Sequence, residues 1–374
     1  MIQIKTIANK LIKVPISVVA LIALVSSIGF LMLYSAAQGS LFPWAAKQML
    51  YFSVFMPVML IVSIVDIRIF YKYAYLFYCL VLLLLLAVHM LGYTAMGATR
   101  WINLGFIKLQ PSELMKIAII FALARYFHDL SFKNIRLSHL IKPVIMLLIP
   151  ALLIAKQPDL GTAIILVMLG GFMFFIVGVN KWVFIISLGL ISIALPFAWT
   201  LLHSYQQNRI LTFLNPERDP YGAGYNIIQS KIAIGSGGFS GKGFIQGSQS
   251  QLQFLPEHQT DFIFTMLSEE WGFLGGLLLL FLYSLLVFYC YIIALNARSI
   301  FAKLMALGVC SMFFLHIFIN IAMVMGIIPV VGVPLPLMSY GGTMMATMLI
   351  GFGLVINVHI HSKVNIHRAL KSFI

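Results

Sequence analysis

Charge is what this chain has least of. Charged residues make up 9% of its 374 positions against 61% apolar, and the mean hydropathy is +1.02. A soluble domain carries about a quarter of its residues charged, so this chain cannot furnish a water-facing shell. Acid is the scarcer sign, with 10 Asp and Glu against 24 Lys and Arg. The resulting formal charge of +14 could point to nucleic acid, but nucleic-acid binders gather their basic residues into patches on a polar surface. Here they are scattered through short breaks between apolar runs, which suits orientation in a membrane instead. Cysteine is nearly absent too. Cys79, Cys290 and Cys310 all fall inside apolar runs without metal or disulfide spacing, where a lone Cys behaves as a small hydrophobe. No repeat of fixed period and no low-complexity segment is visible.

What is present is a succession of long apolar runs. A spanning helix needs about 20 apolar residues. That window predicts ten spans, at 16–35, 46–65, 74–92, 112–127, 143–156, 160–179, 183–202, 271–294, 304–325 and 340–360. The expected fold is an all-α polytopic membrane protein, one domain over 1–374. A single long hydrophilic loop, 203–268, separates the seventh and eighth spans. Lys5, Lys10 and Lys13 before the first run, with Ser35-Ala36-Ala37 after it, resemble a signal peptide. The run exceeds the usual 7–15-residue apolar core of such peptides, so it reads as a retained first helix.

Basic residues near span ends set orientation. With the N-terminus cytoplasmic, the inner side receives Lys5, Lys10, Lys13, Arg68, Lys72, Arg125, Lys133, Arg136, Lys142, Lys181, Arg298, Lys303, Lys363, Arg368 and Lys371. The outer side receives Lys47, Arg100, Lys108, Lys156, Arg209, Arg218, Lys231 and Lys242. That bias predicts both termini inside and the long loop outside. The acids lean the other way. Only Asp66 and Asp129 fall inside, while Glu113, Asp159, Glu217, Asp219, Glu257, Asp261, Glu269 and Glu270 lie at or near the outer face. Acids say little about topology, so their gathering marks a working face.

Four constellations could carry chemistry there. In Gln110-Pro111-Ser112-Glu113-Leu114-Met115-Lys116, downstream of Arg100-Trp101, Pro111 suits a first helical turn and Gln110 or Ser112 could cap it. Glu113 and Lys116 share a helix face, and ionisable groups in a span are usually functional, although a structural ion pair joining two helices is the plainer alternative. In Gln157-Pro158-Asp159-Leu160-Gly161-Thr162, Asp159 is either a helix cap or a partner for Lys116 or Lys156. The long loop holds an apolar-periodic stretch at 227–234 that reads as an interfacial amphipathic helix. A glycine-rich run from Gly235 to Gly247 follows, with a backbone able to approach a ligand closely. That run lacks the GxxxxGK[ST] spacing of a phosphate loop. Asp261 stands alone among Thr260, Phe262, Ile263 and Phe264, where partial desolvation would raise its basicity and make it a candidate general base; capping the eighth helix is the alternative. His258 reads as a solvated loop residue. Finally, Asn320 through Gly342 breaks an apolar run with three prolines and several glycines, which membrane depth tolerates only where the backbone is buried or lines a cavity.

These residues resemble one family. Asn320, Gly326, Pro329, Gly332 and Ser339-Tyr340-Gly341-Gly342-Thr343 are similar to the C-terminal signature of the SEDS proteins (shape, elongation, division and sporulation). QPSELMK, QPDLGT and PEHQTDFIF match other hallmarks, and the wording of the long loop is closer to the elongation members than to the division ones. Met344 departs from the signature, which usually has a small residue there. The resemblance implies ten transmembrane helices in the bacterial cytoplasmic (inner) membrane. It also implies a peptidoglycan glycosyltransferase that polymerises lipid II at the outer face, working in an elongation complex with a class B penicillin-binding protein. By resemblance Asp261 is the catalytic aspartate. Arg100, Lys116 and Arg209 are then expected to meet the leaving pyrophosphate, with Glu113, Asp159, Ser339 and Tyr340 in support. No cofactor is evident; a divalent cation could assist, but no ligand cluster in the sequence demands one. A lipid II flippase and a non-catalytic scaffold are the alternatives, and an inward charged path would favour the flippase.

Overall fold

The computed structural model describes residues 10–91, 93–95, 98–103, 108–130, 137–201, 204–219, 222–252, 254–255 and 257–367. Lys5, Lys133, Arg136, His203, Pro256, Arg368 and Lys371 lie outside the described residues. Each of the ten apolar runs falls on a helix: α1 (Ile16–Ala36), α2 (Ala45–Ile64), α3 (Ile67–Leu91), α4 (Pro111–Asp129), α5 (Ile141–Lys156), α6 (Leu160–Val177), α7 (Lys181–Leu201) and, beyond the long loop, α11 (Ile263–Leu295), α12 (Ile300–Val324) and α13 (Gly342–Ile360). Among the described residues, 8 helices are long and apolar enough to cross a membrane. α4 falls outside that set because it carries Glu113, Lys116, Arg125 and Asp129. α7 contributes a shorter apolar stretch, Lys181–Ala194. The all-α polytopic class expected from the sequence is the class observed.

Packing explains the order of these helices. α13 lies against α2, and α12 against α4, α6, α11 and α13, so α4, α12 and α13 bury most of their residues. α7 is the opposite case: Ile185, Ile186, Leu188, Ile191 and Phe197 are all exposed, as expected of a helix that meets lipid.

Three features differ from the sequence expectation. A small antiparallel sheet, β1 (Tyr93–Ala95), β2 (Ala98–Asn103) and β3 (Lys108–Leu109), precedes α4 and carries Arg100 on its middle strand. The long loop is largely helical, with α8 (Ser204–Leu214), a 3-10 turn Pro216–Arg218, α9 (Ala223–Ser236) and a short α10 (Ser248–Gln251). α9 contains the expected 227–234 helix, and one of its faces packs on protein. Ile227 and Ala233 are buried, and Ser230 Oγ donates to the Val324 carbonyl at 2.7 Å, with Thr265 Oγ1 also 2.7 Å away.

The third difference is at the eighth span, which starts eight residues earlier than the hydropathy window places it (263 against 271) and breaks at Gly272 (φ 66, ψ −160). The glycine-rich run covers that break. Lys242 N donates to Glu269 O and Gly243 N to Glu270 O, both at 3.0 Å, while Phe273 N and Leu274 N donate to the carbonyls of Gly238 and Phe239 at 2.9 and 3.2 Å. A Cβ at Gly237 would overlap the Ser268 carbonyl, and one at Gly241 (φ +81) the Glu270 carbonyl. Gly237 and Gly241 are therefore required by the chain's own backbone.

Candidate functional site

Asp261 lies one residue before Phe262, the N-cap of α11, where the long loop turns into the membrane. It does not cap that helix, since no side-chain bond is made at the N-cap. Its backbone carbonyl instead accepts from Asn320 Nδ2 at 2.8 Å, and the same amide donates to Val333 O at 2.7 Å. The interrupted segment between α12 and α13 thus closes over the aspartate. Gly332, in a left-handed conformation (φ +71), is so near that a Cβ there would come 3.2 Å from Asp261 Oδ2. Burial pushes the Asp261 carboxyl up to about 7, and the negative charge of Glu257 adds to the rise; Arg209 and Arg100 oppose it, and Asp159 supports it weakly. A carboxyl that titrates near neutrality within the field of two guanidinium groups is suited to general-base work beside an anionic ligand.

The residues singled out in the sequence sort into three positions. Arg100 and Asp159 sit with Arg209 around Asp261. Arg100 leaves β2 to grip the turn between α5 and α6: Nε donates to Gln157 O at 3.2 Å, Nη2 donates to Pro158 O, and Nη1 stands 4.0 Å from Asp159 Oδ1. Asp159 caps α6 through Thr162 N at 3.3 Å and accepts from Gln110 Nε2 at 3.1 Å. It is both cap and charge partner, but its cation is Arg100 rather than Lys116 or Lys156. Gln110 occupies the N-cap position of α4 without capping it, because its amide is turned to Asp159.

Lys116 and Glu113 are elsewhere. Lys116 is 0% exposed, its Nζ 2.7 Å from Glu113 Oε1 and 2.7 Å from His316 Nε2. With both neighbours buried, this ammonium is closed to a pyrophosphate in the observed conformation and joins α4 to α12. The sequence held both readings open, and the geometry favours the structural one: an ion pair within α4 that His316 ties to α12.

Ser339 and Tyr340 support the loop from the other side. Ser339 Oγ donates to Thr260 O at 2.6 Å and accepts from Leu335 N at 2.8 Å, and Tyr340 N donates to Gln259 O at 2.9 Å. Burial, then Tyr51, pushes the Tyr340 phenol up to about 12, so it stays neutral and serves no base role. His258 is a correction. It is buried rather than solvated, with Nδ1 2.9 Å from Leu255 O and its ring edge-on to Trp44, so it anchors the loop to α1 and α2. Glu257, Gln48 and His316 were missed. Gln48 clamps the signature through Ser339 O (2.8 Å) and Gly341 N (3.1 Å), yet in sequence it is one glutamine in a span.

Beside the aspartate opens an apolar cavity of about 340 Å³ between α6, α8, α12 and the 328–331 segment. Gln206 and Arg209 stand in its wall with Ile164, Met168, Phe318 and Val331. Val331 and Gly332 link that wall to Asp261. Among the described residues no group of three or more His, Cys, Asp or Glu is disposed to hold a metal ion.

Comparison with known proteins gives a consistent result. Residues 13–364 match the cell cycle protein family named for FtsW, RodA and SpoVE. The peptidoglycan glycosyltransferase MrdB of Escherichia coli strain K12 is 44% identical over 311 residues, 82% of this chain and 83% of that protein. Stage V sporulation protein E of Bacillus subtilis is 36% identical over 350 residues, 91% and 95% of the two chains. Among solved structures, a chain of a peptidoglycan synthase complex that coordinates polymerization and crosslinking superposes with a TM-score of 0.80 at 32% identity, over 92% of this chain and 96% of that one. The rod shape determining protein RodA of Thermus thermophilus superposes with a TM-score of 0.70 at 27% identity, over 92% and 96%.

Proposed function

The chain belongs to the FtsW, RodA and SpoVE family of cell cycle proteins, and on that footing we propose that it is a peptidoglycan glycosyltransferase of the elongation type, with Asp261 as its general base. It polymerises lipid II, a disaccharide on a polyprenyl pyrophosphate, into β-1,4 glycan. The 4-hydroxyl of one lipid-linked disaccharide attacks the anomeric carbon of another. The hydroxyl proton goes to Asp261 as the new C–O bond forms, and the bond to pyrophosphate breaks with its electron pair on the departing phosphate oxygen. An α-linked donor becoming a β-linked product is an inversion, so one base suffices and no covalent intermediate is needed. Arg209 and Arg100 meet the charge that develops on the pyrophosphate. Lys116 acts at one remove, by holding helices. The apolar cavity with Arg209 in its wall suits a prenyl chain with its phosphates held at the rim.

The observation that carries this reading is the position of Asp261: raised to about 7, within the field of Arg209 and Arg100, and joined through Gly332 and Val331 to an apolar cavity among the helices. The bias of basic residues supports cytoplasmic termini in the inner membrane and an extracytoplasmic site. The relation to a synthase complex supports a class B penicillin-binding protein as partner, crosslinking the strands made here. The test is to incubate the purified full chain, alone and with that partner, with fluorescent lipid II and to separate products on a gel. Polymer formed by the chain carries the reading. Transfer of labelled lipid II across a vesicle bilayer without polymer would favour a flippase, and polymer that tracks only the partner would favour a scaffold.

A further inference from the structure

Lys116 sits in the second turn of α4, and the structure gives its ammonium two buried neighbours, Glu113 Oε1 and His316 Nε2, each at 2.7 Å. The protonation of this triad follows from its partners. His316 Nδ1 is 2.8 Å from the Met312 carbonyl, which only accepts, so that nitrogen carries the ring proton. An ammonium only donates, so Nε2 must offer its lone pair. The imidazole is therefore neutral, and glutamate, lysine and histidine together carry no net charge. That balance matters at this depth, where a buried charge left without its partner is strongly destabilising.

The same helix face of α12 carries a second grip. Asn320 is four residues beyond His316 and therefore on the same face, one turn along. Both of its amide protons are used, one on Asp261 O at 2.8 Å and one on Val333 O at 2.7 Å. Successive turns of α12 thus hold the ion pair of α4 and then the backbone of the aspartate loop, together with the segment that carries Gly332.

We propose that His316 is a positioning residue for Asp261: by accepting from Lys116 it fixes the register of α12 against α4, and through Asn320 that register sets where the Asp261 carboxylate points. The proposal rests on the reading of Asp261 as the base. Replacing the imidazole with an apolar side chain leaves Lys116 with Glu113 alone and frees α12 to shift by a fraction of a turn, and a misplacement of about 1 Å at a reacting group can cost roughly 100-fold in rate. His316→Gln keeps an acceptor oxygen at nearly the reach of Nε2.

The experiment measures kcat and KM for glycan polymerisation by the full chain, as wild type, His316→Leu, His316→Gln, Asn320→Ala and the His316→Leu/Asn320→Ala double variant, with thermal unfolding in detergent followed for each. The expected result is a kcat about 10- to 100-fold lower in His316→Leu with KM within about twofold, and substantial recovery in His316→Gln. The double variant should be no worse than the poorer single one, because both act through one arrangement. Wild-type kcat in His316→Leu, an equal loss in His316→Gln, or losses that multiply in the double variant would each overturn the proposal. If His316→Leu does not fold, His316→Phe, which keeps the volume of a ring without offering an acceptor, takes its place in the same comparison. A wild-type chain that makes no polymer sinks the proposed function itself and this inference with it, whereas an active wild type with an indifferent His316 sinks only the inference.

Discussion

At the scale of the residue, the site turns on one carboxyl held near neutrality. Asp261 titrates at about 7 because burial and Glu257 outweigh Arg209 and Arg100. A base works deprotonated, so polymerisation should rise with pH through a midpoint near 7 and fall away below it. Glu257→Gln removes a charge that raises the carboxyl and should move that midpoint to lower pH, whereas Arg209→Ala should move it higher and slow the reaction by about 10²-fold through lost pyrophosphate stabilisation. Initial rates from pH 5 to 9 check both shifts, and a flat profile would contradict the assignment. The desolvation of Asp261 was legible in the sequence, where a lone acid stands directly before the apolar residues Phe262, Ile263 and Phe264. Lys116 was not. A lysine in a span looks the same whether it faces a ligand or a buried partner, and that partner, His316, stands 200 positions away. His258 was misread for the same reason: its neighbours in sequence are polar, but its ring packs on Trp44.

At the scale of the element, hydropathy located every long helix, since a run of apolar side chains must lie in lipid or in a core whatever the tertiary arrangement. It could not locate the start of α11. Its first turns, through Glu269 and Glu270, carry buried carboxylates that a hydropathy window rejects, yet each has a partner: Glu269 Oε1 takes Lys242 Nζ at 2.7 Å and Gln249 N at 2.9 Å, and Glu270 Oε1 takes Ser35 Oγ. The glycine-rich run was seen, but its purpose needed the fold, because backbone contact between 237–243 and 268–274 has no sequence signature. Gly241→Ala tests that contact. The new methyl would overlap the Glu270 carbonyl at a left-handed backbone, so the variant should lose about 1–3 kcal/mol of stability. Thermal unfolding should register that loss, while an alanine at Gly189, which has open space around it, should leave the melting temperature nearly unchanged by clash.

At the scale of the whole molecule, the long loop, the β-sheet and the broken segment before α13 all bring groups near Asp261, which makes one end of the helices the proposed working face. The proposed orientation puts that face outside the cytoplasm. In a chain lacking Cys79, Cys290 and Cys310, a cysteine introduced at exposed Glu217 should react with a membrane-impermeant maleimide on intact cells, and one at exposed Arg298 should react only after lysis. The reverse pattern would invert the topology and remove the site from its substrate. Catalysis at one face also separates a polymerase from a carrier, which must expose its site to both sides in turn. The most direct measurement is polymerisation of fluorescent lipid II by the purified full chain with its transpeptidase partner, comparing wild type with Asp261→Ala. The account predicts that the variant folds, inserts and binds the partner as wild type does but loses about 10²–10⁴-fold or more in glycan synthesis; polymer formed at the wild-type rate by Asp261→Ala would contradict it.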